Sequence, residues 1–131
     1  MADVGVWQPH GAAIDARTLA RLADAADYLD HATLGLSADE VRELAAMMKH
    51  PREQWPPLFA NESDARLIRL AKFFTVAEMR LPGWEAGAHS PVIAIVTELR
   101  RRKAYPKELT GWIKAHTTNR FLPHGSLLDR L

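Results

Sequence analysis

The sequence predicts an all-α fold: a single small domain of about five helices, a helical-hairpin bundle around one central helix at about residues 64–81. Three observations predict it. The stretch Asp64 to Leu81, DARLIRLAKFFTVAEMRL, holds neither Gly nor Pro and repeats its apolar residues at helical spacing. At about 100° per residue, Leu67, Leu70, Ala71, Phe74, Ala77 and Leu81 fall in one arc of roughly 120°, the width of a stripe that faces a core. Ile68, Phe73, Val76 and Met79 make a second, mixed face among Arg69, Lys72 and Arg80, so neighbours are expected on both sides. The second observation is a pair of strong helix starts, Ser37-Ala38-Asp39-Glu40 and Ser90-Pro91. The third is composition: 131 residues, 47% hydrophobic and 25% charged, suffice for one domain with its own core.

Residues 1–14 read as an N-terminal arm pinned by Trp7 and Pro9, and residues 15–131 as the helical domain. Asp15 is a good N-cap for the first helix, whose stripe is Leu19, Leu22, Ala26 and Leu29. Asp24, Asp27 and Asp30 run beside that stripe as a solvated acidic row. Gly35 is expected to break the helix. Ser37 and Glu40 have capping-box spacing, and Leu36 and Val41 that of a hydrophobic staple. Val41, Leu44, Ala45 and Met48 supply the buried face of the second helix, which Pro51 stops by His50. Trp55-Pro56-Pro57-Leu58-Phe59 is expected to be a stiff, extended connector whose Trp55 and Phe59 fold back on the core. The central helix follows, capped by Asn61 or Ser63 and ended by Pro82-Gly83. Trp84 to His89 is a loop. Val92, Ile93, Ile95, Val96 and Leu99 then make a helix rather than a strand, because the run is long, well capped and continues to Lys103. Pro106 opens a fifth helix, roughly Lys107 to His116, weakened by Gly111 at about 1 kcal/mol relative to Ala. Thr117 to Gly125 is irregular, and Ser126 to Leu131 reads as a last helical turn.

The net charge of +1 hides a split. Residues 1–65 hold five basic and eleven acidic residues, a net of −6, and residues 66–131 hold twelve basic and five acidic, a net of +7. Either the two halves pair with each other, or the basic half meets an anionic partner. The chain has no cysteine, which excludes disulfides and thiolate chemistry. The N-terminus lacks the basic start and apolar run of a signal peptide, and no apolar run approaches a membrane span. A cytoplasmic protein without membrane association is therefore expected.

Catalytic signatures are missing: there is no G-x-x-x-x-G-K-[ST], G-x-G-x-x-G, G-x-S-x-G or H-E-x-x-H. The six histidines are scattered, and neither Glu85 with His89 nor His116 with His124 has a further ligand at diagnostic spacing. Catalytic residues, metal ligands and cofactors are not expected. The lead is the basic C-terminal half, where Arg100, Arg101, Arg102, Lys103, Lys107, Lys114 and Arg120 alternate with Tyr105, Trp112, Asn119 and Phe121. Nucleic-acid surfaces combine cations for phosphates with polar and flat side chains for bases, so those seven cations are the candidate nucleic-acid contacts. The helices flanking Ala104-Tyr105-Pro106 could pair in the manner of a helix-turn-helix, with Lys107 to His116 offered to a groove. The alternative is a protein partner or homodimer anchored on Trp84, Tyr105 and Phe121, residue types that anchor interfaces. A small enzyme is the third reading and has no motif behind it. The expectation is a non-catalytic helical binding module, with nucleic acid the first partner to test.

Overall fold

Six α-helices and no strand form among residues 14–124, the residues that the computed structural model of the protein describes. Helix α1 (Ala16–Ala25) starts at Asp15, whose carboxylate accepts from the Thr18 backbone N–H at 2.8 Å. That bond holds the Asp15 pKa below its ordinary value. The helix ends well before Gly35, loosening into a tighter turn over Ala26–Tyr28. Gly35 instead makes the return turn: its φ is +75°, and a Cβ there would sit 3.0 Å from the Tyr28 ring.

Helix α2 (Ala38–Leu44) carries the expected capping box. The Glu40 N–H donates to Ser37 Oγ at 3.0 Å, and the Ser37 N–H donates to Glu40 Oε1 at 2.9 Å. Leu36 and Val41 are both buried, as a staple requires. Glu40 also accepts two bonds from Arg21 of α1, at 3.1 and 3.0 Å, so the cap doubles as the tie between the first two helices. These donors, the Ser37 N–H first, hold the Glu40 carboxyl below its usual range.

The expected extended connector is instead partly helical: α3 (Trp55–Phe59) spans it. The reason is local. Pro56 and Pro57 occupy the first turn, where backbone N–H groups have no intrahelical partner and a missing N–H costs nothing. Trp55 and Phe59 do turn inward and are fully buried, with rings stacked at 5.8 Å. Helix α4 (Asp64–Arg80) is the central one, capped by Ser63, which accepts from the Arg66 N–H at 3.1 Å. It packs against α1 on one side and against α5 (Pro91–Arg101) on the other. Both expected apolar faces are used: Leu67, Leu70, Ala71, Phe74 and Ala77 are buried on one, Phe73 and Val76 on the other. Ser90 caps α5 by accepting from the Val92 N–H at 3.1 Å. Helix α6 (Leu109–His116) begins two residues later than expected and rests on α4 through Leu109 and Ile113.

Trp84 corrects an expectation. It is fully buried, edge-on to Phe73 at 5.9 Å, and its indole N–H donates to the Val41 carbonyl at 2.9 Å. It closes the core over α2 and offers nothing to a partner. Tyr105 and Phe121 are half-buried against the same core. The arm assigned to residues 1–14, apart from the buried Ile14, and the turn at Ser126 to Leu131 lie outside the described residues.

Candidate functional site

The basic candidates begin where α5 stops. The Ala104 N–H donates to the Leu99 carbonyl at 2.8 Å and the Lys103 N–H to the Arg100 carbonyl at 3.0 Å. This is a Schellman end, which normally places glycine in the left-handed position. Here that residue is Lys103, at φ +60°. Arg102, one residue earlier, turns back into the molecule. It donates to Glu98 Oε2 at 2.7 Å and Asp64 Oδ1 at 2.8 Å, and to the carbonyls of Glu62, Ala60 and Phe59 at 2.7, 3.0 and 3.2 Å. It thus pins the corner between α3 and α4 to the end of α5, with its charge on the negative C-terminal end of α3. This corrects its assignment as a nucleic-acid contact, because its donors are committed to the fold. Arg101 is exposed and paired with Glu98 at 3.1 and 2.6 Å. Hydrogen bonds from Arg101 and then Arg102 push the Glu98 carboxyl down to about 2.

The other candidates are differently placed. Arg100, Lys103, Lys107, Lys114 and Arg120 are exposed and form no ion pair with a described residue; Arg100 lies 3.1 Å from His124 Nδ1. Residues 100–124 hold seven basic residues against one acidic, Glu108. Lys114 lies on the outer side of α6, opposite the buried Leu109 and Ile113. Gly111 shares that outer side, and a Cβ there would meet nothing within 4 Å. Lys114 and Arg120 line one cleft of about 230 Å³, together with Thr117, Thr118 and Asn119.

The flat side chains near this rim are engaged within the fold. Trp112 stacks on His116 at 3.9 Å, and the Lys72 ammonium lies 5.2 Å from its ring centroid. The Tyr105 hydroxyl meets Thr110 Oγ1 at 2.5 Å, and burial raises its pKa. Asn119 accepts from the Phe121 N–H and donates to the Gly87 carbonyl, both at 3.0 Å.

Elsewhere the two halves do pair. Arg69 donates to Asp27 at 2.8 Å and to the Ala23 carbonyl at 3.1 Å. Arg80 reaches the carbonyls of Leu29 and His31, and Arg66 pairs with Glu62 at 3.2 Å. The charge split therefore has two parts: an inner set of arginines that ties the basic half to the acidic one, and an outer rim from Arg100 to Arg120.

One polar residue escaped the sequence reading. Glu78 of α4 is 5% exposed. Its Oε2 accepts from the Ser90 hydroxyl at 2.5 Å, while Oε1 has no hydrogen-bond partner. Burial pushes its carboxyl up to about 8; the Ser90 hydroxyl and the nearby Asn119 amide favour the charged form and offset only part of the rise. The signal was present in the helical wheel, since at about 100° per residue position 78 falls inside the apolar arc, between Leu67 and Ala71. Glu78 lines a second cleft of about 240 Å³, on the other side of the Thr117–Asn119 segment. A third cleft, of about 450 Å³, is lined by His50, Glu85 and His89 among others. No group of three His, Asp or Glu side chains among the described residues could hold a metal ion. Nor is any helix among them long and apolar enough to cross a membrane.

No family model matches the chain, and no curated protein or solved structure is significantly similar to it.

Proposed function

We propose that the protein is a non-catalytic binding module whose outer basic rim contacts a polyanion, nucleic acid first among them. The observation that carries the reading is the sorting of charge over residues 100–124. Five of the seven cations there, Arg100, Lys103, Lys107, Lys114 and Arg120, face solvent without a carboxylate partner among the described residues, against a single carboxylate in the same stretch. Polyanion binding draws its affinity from such cations, because each phosphate they neutralise releases counterions. Two details support it. Lys103 keeps a cation at a backbone position that favours glycine. Lys114 and Arg120 share a cleft with two threonine side chains and an asparagine, a set of donors suited to phosphate oxygens. The rim lacks free flat side chains, so contact with the phosphate backbone rather than base readout is the expected mode. A cytoplasmic setting belongs to the same reading and fits the cysteine-free composition.

The test is fluorescence anisotropy of labelled single- and double-stranded oligonucleotides with the purified chain, at about 50 and 200 mM salt. Binding that weakens steeply with salt is the expected result. No binding at the lower salt would overturn the reading in favour of a protein partner or a second copy of the chain. That competing reading has lost one of its three anchors with the burial of Trp84.

A further inference from the structure

We infer that Glu78 and the Thr117–Asn119 strap form a pH-sensitive latch, shut while the buried carboxyl keeps its proton and opened by the loss of that proton. The latch is a property of the strap itself and holds whether or not the rim binds a polyanion.

The strap follows α6 and lies against the C-terminal part of α4, with a cleft on each side. One, of about 230 Å³, is lined also by Lys114 and Arg120; the other, of about 240 Å³, is lined also by Glu78 and Met79. Thr117, Thr118 and Asn119 line both, so the strap is a wall between two open spaces. Its ties to the rest of the fold are few and polar, the mark of a segment that opens before the core does. The Asn119 amide donates to the Gly87 carbonyl at 3.0 Å, and the Thr118 hydroxyl reaches Met79 Sδ at 3.6 Å. The next apolar anchor along the chain is the buried Leu122.

Glu78 sits where these ties meet. It is buried, its Oε2 accepts from the Ser90 hydroxyl at 2.5 Å, and the Asn119 side chain is its second polar neighbour. Ser90 in turn caps α5 by accepting from the Val92 N–H at 3.1 Å. One carboxyl thus joins α4, the start of α5 and the strap. The two groups that act on it, Ser90 and Asn119, are uncharged, and no charged group of α1, α5 or α6 is among them. Glu85, of the connection before α5, is the titratable group that shares its cleft, and it is acidic. The strap itself has no titratable side chain, and Lys114 and Arg120 line the cleft on its far side.

Neutral donors offset only part of the cost of a buried charge, so the carboxyl is held up at about 8. Above that pH the proton leaves to solvent, and the closed strap encloses a carboxylate with no cation to meet it. Swinging the strap outward joins the two clefts and lets water reach the carboxylate. It gives up only the bonds at Asn119 and Thr118.

The test is limited proteolysis of the full chain with trypsin at pH 6.5 and 9, read by mass spectrometry. Arg120 is exposed and adjoins the strap, so the Arg120–Phe121 bond reports local opening. The Lys72–Phe73 bond lies inside α4 and reports unfolding of the whole. Each rate is divided by that of the free peptide of the same sequence at the same pH, which removes the protease's own pH dependence. Cleavage after Arg120 is expected to come first. It should rise from pH 6.5 to 9 by at least about threefold and at most about 30-fold, the limit for a carboxyl moving from about 8 to its ordinary value. Glu78→Gln, neutral at both pH values, should be cut slowly and equally at the two. Asn119→Ala, which removes the tie to Gly87, should be cut fast already at pH 6.5. A smaller rise in the wild type, a first cut at Lys72, or the same rise in Glu78→Gln would each overturn the inference. Should Glu78→Gln fail to fold, the order of the two wild-type cuts and the Asn119→Ala rate decide the matter: a variant cut as slowly as wild type at pH 6.5 would sink the latch.

Discussion

Arg102 and Lys103 are neighbours in the chain and do opposite work. Arg102 points inward and joins Glu98, Asp64 and three carbonyls at the corner between α3 and α4. Lys103 points outward from a left-handed backbone position and pairs with no described residue. A run of like charges in a sequence is thus not one surface. The part that meets backbone carbonyls is fold, and the part that meets only water is available to a partner. The same division recurs between Arg69 and Arg80, which bind carbonyls of the acidic half, and Lys114 and Arg120, which line an open cleft.

Substitutions can break this division at either end. Arg102→Ala removes the shared donor of five acceptors and should give the largest loss of thermal stability of any arginine substitution. A melting temperature close to wild type would show that the corner holds without it. The pH dependence of stability separates the carboxyls in the same way. Glu98 has its folded pKa depressed to about 2, so its contribution is present above its ordinary value and lost as pH falls toward 2. Glu78 runs the other way. Its folded pKa, raised to about 8, means the folded state holds a proton that the unfolded state has already released. Stability should fall as pH rises from about 4.5 to about 8, by on the order of a few kcal/mol. Denaturant melts of Glu78→Gln across that range should lose this slope and exceed wild type at pH 9; a variant that keeps the slope would assign it to another group.

The rim should respond in binding and not in stability. Lys114→Glu with Arg120→Glu is expected to weaken oligonucleotide binding at least tenfold, about 1.4 kcal/mol. It should also lower the salt slope by about two phosphate contacts while the melting temperature stays put. The smallest effect is the sharpest. Lys103→Gly should raise stability by up to about 1 kcal/mol, because glycine takes the left-handed conformation without strain, while weakening polyanion binding slightly. Loss of stability there would mean that the lysine stem packs usefully on the fold.

Much of the architecture was legible because its signals are local. The capping box at Ser37 and Glu40, the Ser90-Pro91 start and the uninterrupted period of Asp64 to Arg80 each speak within one helix turn or one stripe. What was not legible depends on distant partners. Arg102 meets residues 38 to 43 positions away, and Trp84 meets Val41 at a separation of 43. Nothing beside them in the chain announces those meetings. The two prolines after Trp55 read as extended structure in the sequence because a helix interior excludes them, whereas its first turn does not. Glu78 is the exception: its place inside the apolar arc was readable, and a charged residue there is itself the signal.

The most direct measurement is a two-dimensional amide NMR titration of the full chain with a short oligonucleotide at low salt. The expected result is that shifts concentrate at Arg100, Lys103, Lys107, Gly111, Lys114 and Arg120, while the amides of Phe59 to Asp64, held by Arg102, stay still. Shifts gathered around the Arg102 corner, or spread evenly over the acidic half, would contradict the division of the charge into an inner set and an outer rim.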